Sequence, residues 1–361
     1  MKLELPLALG LLAFGCWLFI PGRVWQHSEQ KTESKAPAPT RISVAQATFQ
    51  QQAVSEAENA GSRERQPEKP VSPPASSRPA NSIEARRLVK NAARMINEGP
   101  PVQSKSRLKI NLFDQSLLLE GEYLHAGQNR GKTRFDFEVT TVASRIHITQ
   151  ICDGETLLLQ KDRDGKKEIS HANLAIVAGA TSPEIPFAGS PANRLGMGGV
   201  GSLLQQLESS FDFDPPQPQM LGGITTWKIT GSWKPGRLRQ ILQNYVDPKW
   251  IGPEIDWEKL PPQIPHTVEI NLGNDQFLPL FPYRIVFSRY QVSDAESKLV
   301  PTVTIEMYEV NKRDYLDDGN FRLETTGQTS VNITSRFSDR LEQFKQIQAN
   351  QQAVSPDLSQ K

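Results

Sequence analysis

Five consecutive segments between Ser106 and Lys161 alternate apolar and polar side chains, and this constrains the chain more than any other feature. They are Arg107–Phe113, Leu117–His125, Thr133–Thr141, Ser144–Cys152 and Glu155–Lys161, separated by turns such as Asn129-Arg130-Gly131, Cys152-Asp153-Gly154 and Asp162-Arg163-Asp164-Gly165. Phe135, Phe137 and Val139 fall on one parity and Arg134, Asp136 and Glu138 on the other. A period of two is the mark of a strand with one apolar and one wet face, so the block reads as an antiparallel meander. A large sheet with one apolar face is a container or platform before it is a catalyst.

The 27 prolines and two low-complexity ends leave one foldable unit within the 361 residues. That unit is roughly 250 residues, a usual size for a single core. The 41 basic and 40 acidic residues nearly cancel, and no basic patch interleaved with aromatics is visible, which argues against nucleic acid. The two cysteines make a poor disulfide, because Cys16 sits inside the N-terminal apolar run and Cys152 in the meander.

Leu5 to Ile20 carries no charge and is closed by Pro21-Gly22-Arg23. It lies at the short edge of the about 20 residues that a membrane helix needs. Residues 1–25 are read as a signal anchor or signal peptide, with the folded part outside the cytoplasm. Ala13-Phe14-Gly15-Cys16 also resembles a lipobox, which would place a lipid on Cys16. Residues 26–81, rich in Gln, Glu, Ser, Ala and Pro, are expected to form a disordered linker, and 341–361 a disordered tail.

The expected folded domain, 82–340, opens with a helix over 83–97. Ser82 is its expected cap, its apolar stripe is Ile83, Leu88, Ala92, Met95 and Ile96, and Gly99-Pro100-Pro101 ends it. A second helix is expected over 202–210. Strands follow at Thr225–Trp233, His266–Leu272, Pro282–Gln291 and Thr302–Val310, with a Trp- and Pro-rich excursion over 234–265. Nine strands with segregated helices indicate an α+β domain: a curved antiparallel sheet forming an unclosed β-barrel covered by helices.

This order of parts resembles the LolA-like superfamily of periplasmic lipoprotein carriers and their lipoprotein relatives. The resemblance rests on the leading helix, the meander with its Ile151-Cys152-Asp153-Gly154-x-x-Leu157 turn, the helical excursion, and the Phe321-Arg322-Leu323 segment. Phe113, Leu119, Gly121 and Tyr123 fit its early strands. The resemblance implies a half-barrel plugged by helices that holds acyl chains, without cofactor or catalysis. Phe135, Phe137, Ile146, Ile148, Leu157, Trp227 and Phe287 are the expected lining. The chain departs from small soluble carriers in its length, its excursion and its apparent anchor, which bears against free shuttling.

Other motifs read as structure. Gly196-Met197-Gly198-Gly199-Val200-Gly201 fits a dinucleotide fingerprint, but no buried strand precedes it, so a loop opening a helix is expected. Asp162-Arg163-Asp164-Gly165 begins like a calcium loop but has Asn173 where a glutamate belongs, which favours a hairpin turn. His27, His125, His147, His171 and His266 lack metal spacing, and Cys152 lacks a base nearby in sequence. Two expectations remain open: a membrane-tethered module in the cell envelope that binds acyl chains of lipid or lipoprotein, and an envelope interaction or sensory protein with a filled barrel that docks a protein partner.

Overall fold

A computed structural model describes residues 78–112, 115–140, 145–176, 191–242, 255, 257, 260, 264–292, 297–324 and 329–335. The N-terminal apolar run, residues 26–77 of the expected linker, Phe113 and the expected tail lie outside the described residues. Helix α1 (Arg78–Glu98) leads into β1 (Val102–Leu112), β2 (Gln115–His125), β3 (Thr133–Thr140), β4 (Arg145–Cys152), β5 (Thr156–Arg163) and β6 (Lys166–Asn173). Then come α2 (Pro191–Ser210), β7 (Phe211–Phe213), β8 (Gln217–Leu221), β9 (Ile224–Trp233) and α3 (Pro235–Leu242). The chain closes with β10 (Thr267–Gly273), β11 (Pro282–Val292), β12 (Ser297–Lys312), a 3-10 turn at Asp318–Phe321 and β13 (Ser330–Asn332).

The strands form one sheet in the order β13-β6-β5-β4-β3-β2-β1-β12-β11-β10-β9-β7, with β8 also paired to β9. Its two ends do not pair with each other, so the curved sheet stays unclosed. All pairs are antiparallel except β13 with β6. The seam between the two halves is β1, held between β2 and β12.

The meander is where the sequence places it, and β6 is an addition to it. Its sequence, Lys-Lys-Glu-Ile-Ser-His-Ala-Asn, has no apolar alternation because only Ile169 and Ala172 are buried. Asp164 and Gly165, both at positive φ (54° and 81°), make the two-residue hairpin turn, and Asp162 Oδ1 accepts the Gly165 amide at 3.0 Å. That geometry is a primed hairpin turn and fits the expected turn in place of a calcium loop.

Helix α1 begins at Arg78, so Ser82 lies within it and is not its cap. The buried stripe also differs from expectation: it is Ala85, Val89, Ala92, Ala93 and Ile96, while Ile83 and Met95 are exposed. Alanines face inward because α1 packs closely on α2 at Gly201, where a side chain would stand 2.1 Å from Asn97 Oδ1. The excursion after Trp233 carries α3 and its own small core of Leu238, Leu260 and Ile264, with Trp233, Ile255 and Trp257 packed beside it.

Candidate functional site

Register places one continuous set of side chains on the concave face. From β9 to β5 it includes Trp227 and Ile229, Val268 and Ile270, Ile285 and Phe287, Val303 and Ile305, and Leu108 and Ile110. It continues through Leu119 and Tyr123, Phe135 and Phe137, Ile146 and Ile148, to Leu157 and Leu159. Tyr123, Phe135 and Phe137 stack in a row, with ring centroids 4.5 and 5.6 Å apart. The two helices bury their stripes against this face through Val200, Leu203, Leu204 and Leu207 of α2 and the alanine side of α1.

The glycine motif locks one end of that cover. α2 is broken at Gly198 and Gly199, and Gly199 has a φ of 63°. A side chain on Gly199 would stand 2.7 Å from both Thr133 Cγ2 and Tyr123 Oη. The Val200 amide donates to Tyr123 Oη across 3.4 Å, and burial pushes the Tyr123 phenol well above its ordinary value. The fingerprint therefore serves close packing at a break inside α2, which begins at Pro191 and not, as expected, at Ser202 after a loop. At the other end of the helices Arg86 Nε donates to Glu208 Oε1 at 2.5 Å on the surface.

All seven expected lining residues share the concave face but differ in depth. Phe135, Ile146, Ile148 and Phe287 are buried, whereas Phe137, Leu157 and Trp227 are half-buried. Trp227 and Phe287 stand on β9 and β11, strands away from the Phe135–Phe137 row, so the seven do not converge on one point. The cover thins over β5. There Leu157, Leu159, Lys161 and Arg163 are all half-buried on the concave parity, running from apolar to cationic along one strand.

Polar groups on this face are few, and two are unusual. Ser104 and Ser106 of β1 are 1% and 2% exposed, and neither hydroxyl has a hydrogen-bond partner among the described residues. Gln206 Oε1 on α2 is also buried without a partner. An unsatisfied buried hydroxyl costs about 1–3 kcal/mol, so two in one strand are a liability for the closed structure. Serine parity in a polar run, Val-Gln-Ser-Lys-Ser, gave no sign of this, because only the pairing of β1 with β2 and β12 makes it central.

The convex face is not uniformly wet, as the alternation implied. Leu124, Ile151 and Leu158 form a second apolar patch, covered by Leu316, Phe321 and Leu323. Arg130 pairs with Asp318, and Lys132 Nζ lies 3.0 Å from the same carboxylate, which holds it below its ordinary value. Elsewhere the face carries cross-strand ion pairs such as Arg107–Glu120 at 2.7 Å. Two open clefts lie on this face: one of about 370 Å³ over Leu158, His171 and Phe321, the other of about 480 Å³ beside Leu118, Glu120 and Tyr308.

Among the described residues, none of the groups suited to catalysis converges with another on one point. Cys152 is buried with its thiol 3.3 Å from the Gly131 carbonyl, and burial raises its pKa, which disfavours the thiolate. Asp153 Oδ1 accepts the amides of Glu155 and Thr156 at 2.9 and 2.7 Å and so builds its turn. His171 Nδ1 lies 2.7 Å from Ser330 Oγ, and Asp153, which lines the same cleft, has its Oδ1 committed to the backbone. His125 accepts the Gly127 amide at 2.9 Å, and burial lowers its pKa to about 4. Among the described residues no three His, Cys, Asp or Glu side chains gather as a metal site, and no helix is long and apolar enough to cross a membrane.

This unclosed, curved antiparallel sheet with helices packed on one face is the architecture that the sequence resemblance implied. No family model matches the chain, and no curated protein does. Among solved structures it is similar to the MucA/MucB complex of Pseudomonas aeruginosa, at 11% identity over 66% of this chain and 61% of that chain, with a TM-score of 0.34. It is also similar to the lipoprotein LppX of Mycobacterium tuberculosis, at 11% identity over 65% of this chain and 98% of that one, with a TM-score of 0.34. A LolA superfamily protein of Nitrosomonas europaea is matched at 10% identity over 66% and 98%, with a TM-score of 0.27. The chain thus spans less than two thirds of the MucA/MucB chain that it matches. At these TM-scores the likenesses lend no weight to any ligand or partner.

Proposed function

We propose that this protein is a non-catalytic envelope module, tethered through its N-terminus, that takes up an acyl chain of a lipid or lipoprotein between helices and sheet. The observation that carries this reading is the mismatch between the concave apolar floor and its cover. Phe137, Leu157 and Leu159 continue the floor beyond the fully buried residues and stay half-buried. A hydrocarbon chain laid along them would be stabilised by about 0.8 kcal/mol per methylene removed from water. The tether is the Leu5–Ile20 run followed by the polar stretch to Ser77, with the folded unit in the periplasm.

The test is extraction and mass spectrometry of lipids from the full-length chain purified from envelope membranes. Acyl lipid recovered in stoichiometric amount, and lost from a Leu157→Glu/Leu159→Glu variant that keeps its melting temperature, is the expected result. Equal lipid on both proteins, or none on either, overturns the reading.

A second reading, a filled barrel that docks a protein partner, draws on the other half of the same face. Ile229, Val268, Ile270 and Ile285 have no exposed surface at all, so that half is occupied by its own side chains. A lipid-free protein would favour it.

A further inference from the structure

We infer that Ser104 and Ser106 form a polar anchor on the apolar floor, taking the carbonyl group of an ester- or amide-linked acyl chain. This rests on the acyl-binding reading and specifies the headgroup side of the ligand. Both hydroxyls lie on the concave parity of β1, the central strand of the sheet. Ser104 stands opposite Tyr123 on β2, and Ser106 opposite Gly121 on β2 and Met307 on β12. Their concave neighbours on β1 are Val102 and Leu108, both buried, so the pair interrupts an otherwise apolar row.

Three observations separate this pair from ordinary strand serines. Each hydroxyl is almost completely buried and has no hydrogen-bond partner among the described residues. Such groups are rare in folded proteins unless something absent from the bare chain satisfies them. At Ser104 the ladder to β12 is irregular: Glu309 and Val310 together oppose it, and Glu309 has a φ of 48°. Bulges of this kind gather where a sheet is shaped for a site. Beside Ser106, Gly121 offers no side chain, and any there would collide with the Asp136 carbonyl. The β2 and β3 backbones therefore approach closely beside the two hydroxyls, next to the Tyr123–Phe135–Phe137 row along which a chain would lie.

A hydroxyl pair two residues apart on one strand presents two donors to a single acceptor region. A carbonyl oxygen has two lone pairs and accepts both; an ether oxygen in the same place is a weaker acceptor. The anchor thus discriminates by linkage chemistry as well as by chain length.

The experiment compares binding of palmitoyl glycerol, an ester, and hexadecyl glycerol, its ether counterpart, to the full-length protein in detergent, with thermal melting alongside. Wild type is expected to bind the ester about tenfold more tightly. The Ser104→Ala/Ser106→Ala variant is expected to bind both at the ether's affinity and to melt no lower than wild type; each single variant falls between. Equal binding of the two probes by wild type, or discrimination kept by the double variant, overturns the anchor and leaves acyl binding standing. A lower melting temperature of the double variant also overturns it, since the hydroxyls would then serve the fold, for example through buried water. Binding of neither probe overturns acyl binding and the anchor together.

Discussion

The two halves of the concave face have the same alternation but different fates. On β9 to β11 the inward residues Ile229, Val268, Ile270 and Ile285 are sealed, whereas on β5 Leu157 and Leu159 are half-buried and give way to Lys161 and Arg163. The sealed half is closed by side chains and helices, and its burial stabilises the fold. The thinly covered strand leaves part of its apolar surface exposed. Apolar parity alone says that a side chain faces inward; what lies above it decides whether it is core or lining.

The sharpest test of that division is to cut the same chemistry from each side. Leu204→Ala, in the sealed interface of α2, is expected to destabilise the fold by about 3 kcal/mol through lost burial and the cavity left behind. Urea unfolding followed by circular dichroism measures it, and a loss below about 1 kcal/mol would break the comparison. Acid titration comes next. His125 is buried and neutral with a pKa near 4 against an ordinary 6.5, so the folded state resists a proton that the unfolded chain accepts. Stability is full above pH 6.5 and falls as pH drops towards about 4, by on the order of 3 kcal/mol, and His125→Gln flattens that slope. An unchanged slope in the variant would remove His125 from the account. The smallest effect belongs to the thinly covered half. Leu159→Ala is expected to cost about 1 kcal/mol or less in unfolding while weakening binding of a fluorescent fatty acid severalfold. Losses of similar size at Leu204 and Leu159 would mean that the two halves are one core.

Much of this was legible in the residues, for physical reasons that also mark where legibility stops. Strands with one buried face announce themselves, so β2 to β5 and β9 to β12 were placed from alternation. The polar start of β1, and all of β6, β7, β8 and β13, were not, because short or edge strands bury too few residues to leave a pattern. The helix stripe was drawn through Ile83 and Met95 on the premise that large apolar residues face inward. The close approach of α1 and α2 reverses this in favour of alanine. The seven expected lining residues stand on one face by parity, but their depth depends on where the helices end. The roles of Ser104, Ser106 and Gly199 were invisible, since each depends on a neighbour distant in sequence.

The seam at β1 has a consequence for how the chain acquires its shape. β1 pairs with β2 almost at once in synthesis, but its other edge waits for β12, which is made near the end. Until then the meander is a sheet with a bare central edge, and α1 lacks the α2 surface that holds its alanine stripe. Pairings so far apart in sequence are slow to form, and unpaired edges invite association with other chains. A chain of this topology is therefore most exposed to misassembly late in synthesis, when its first half is folded and its second is still arriving.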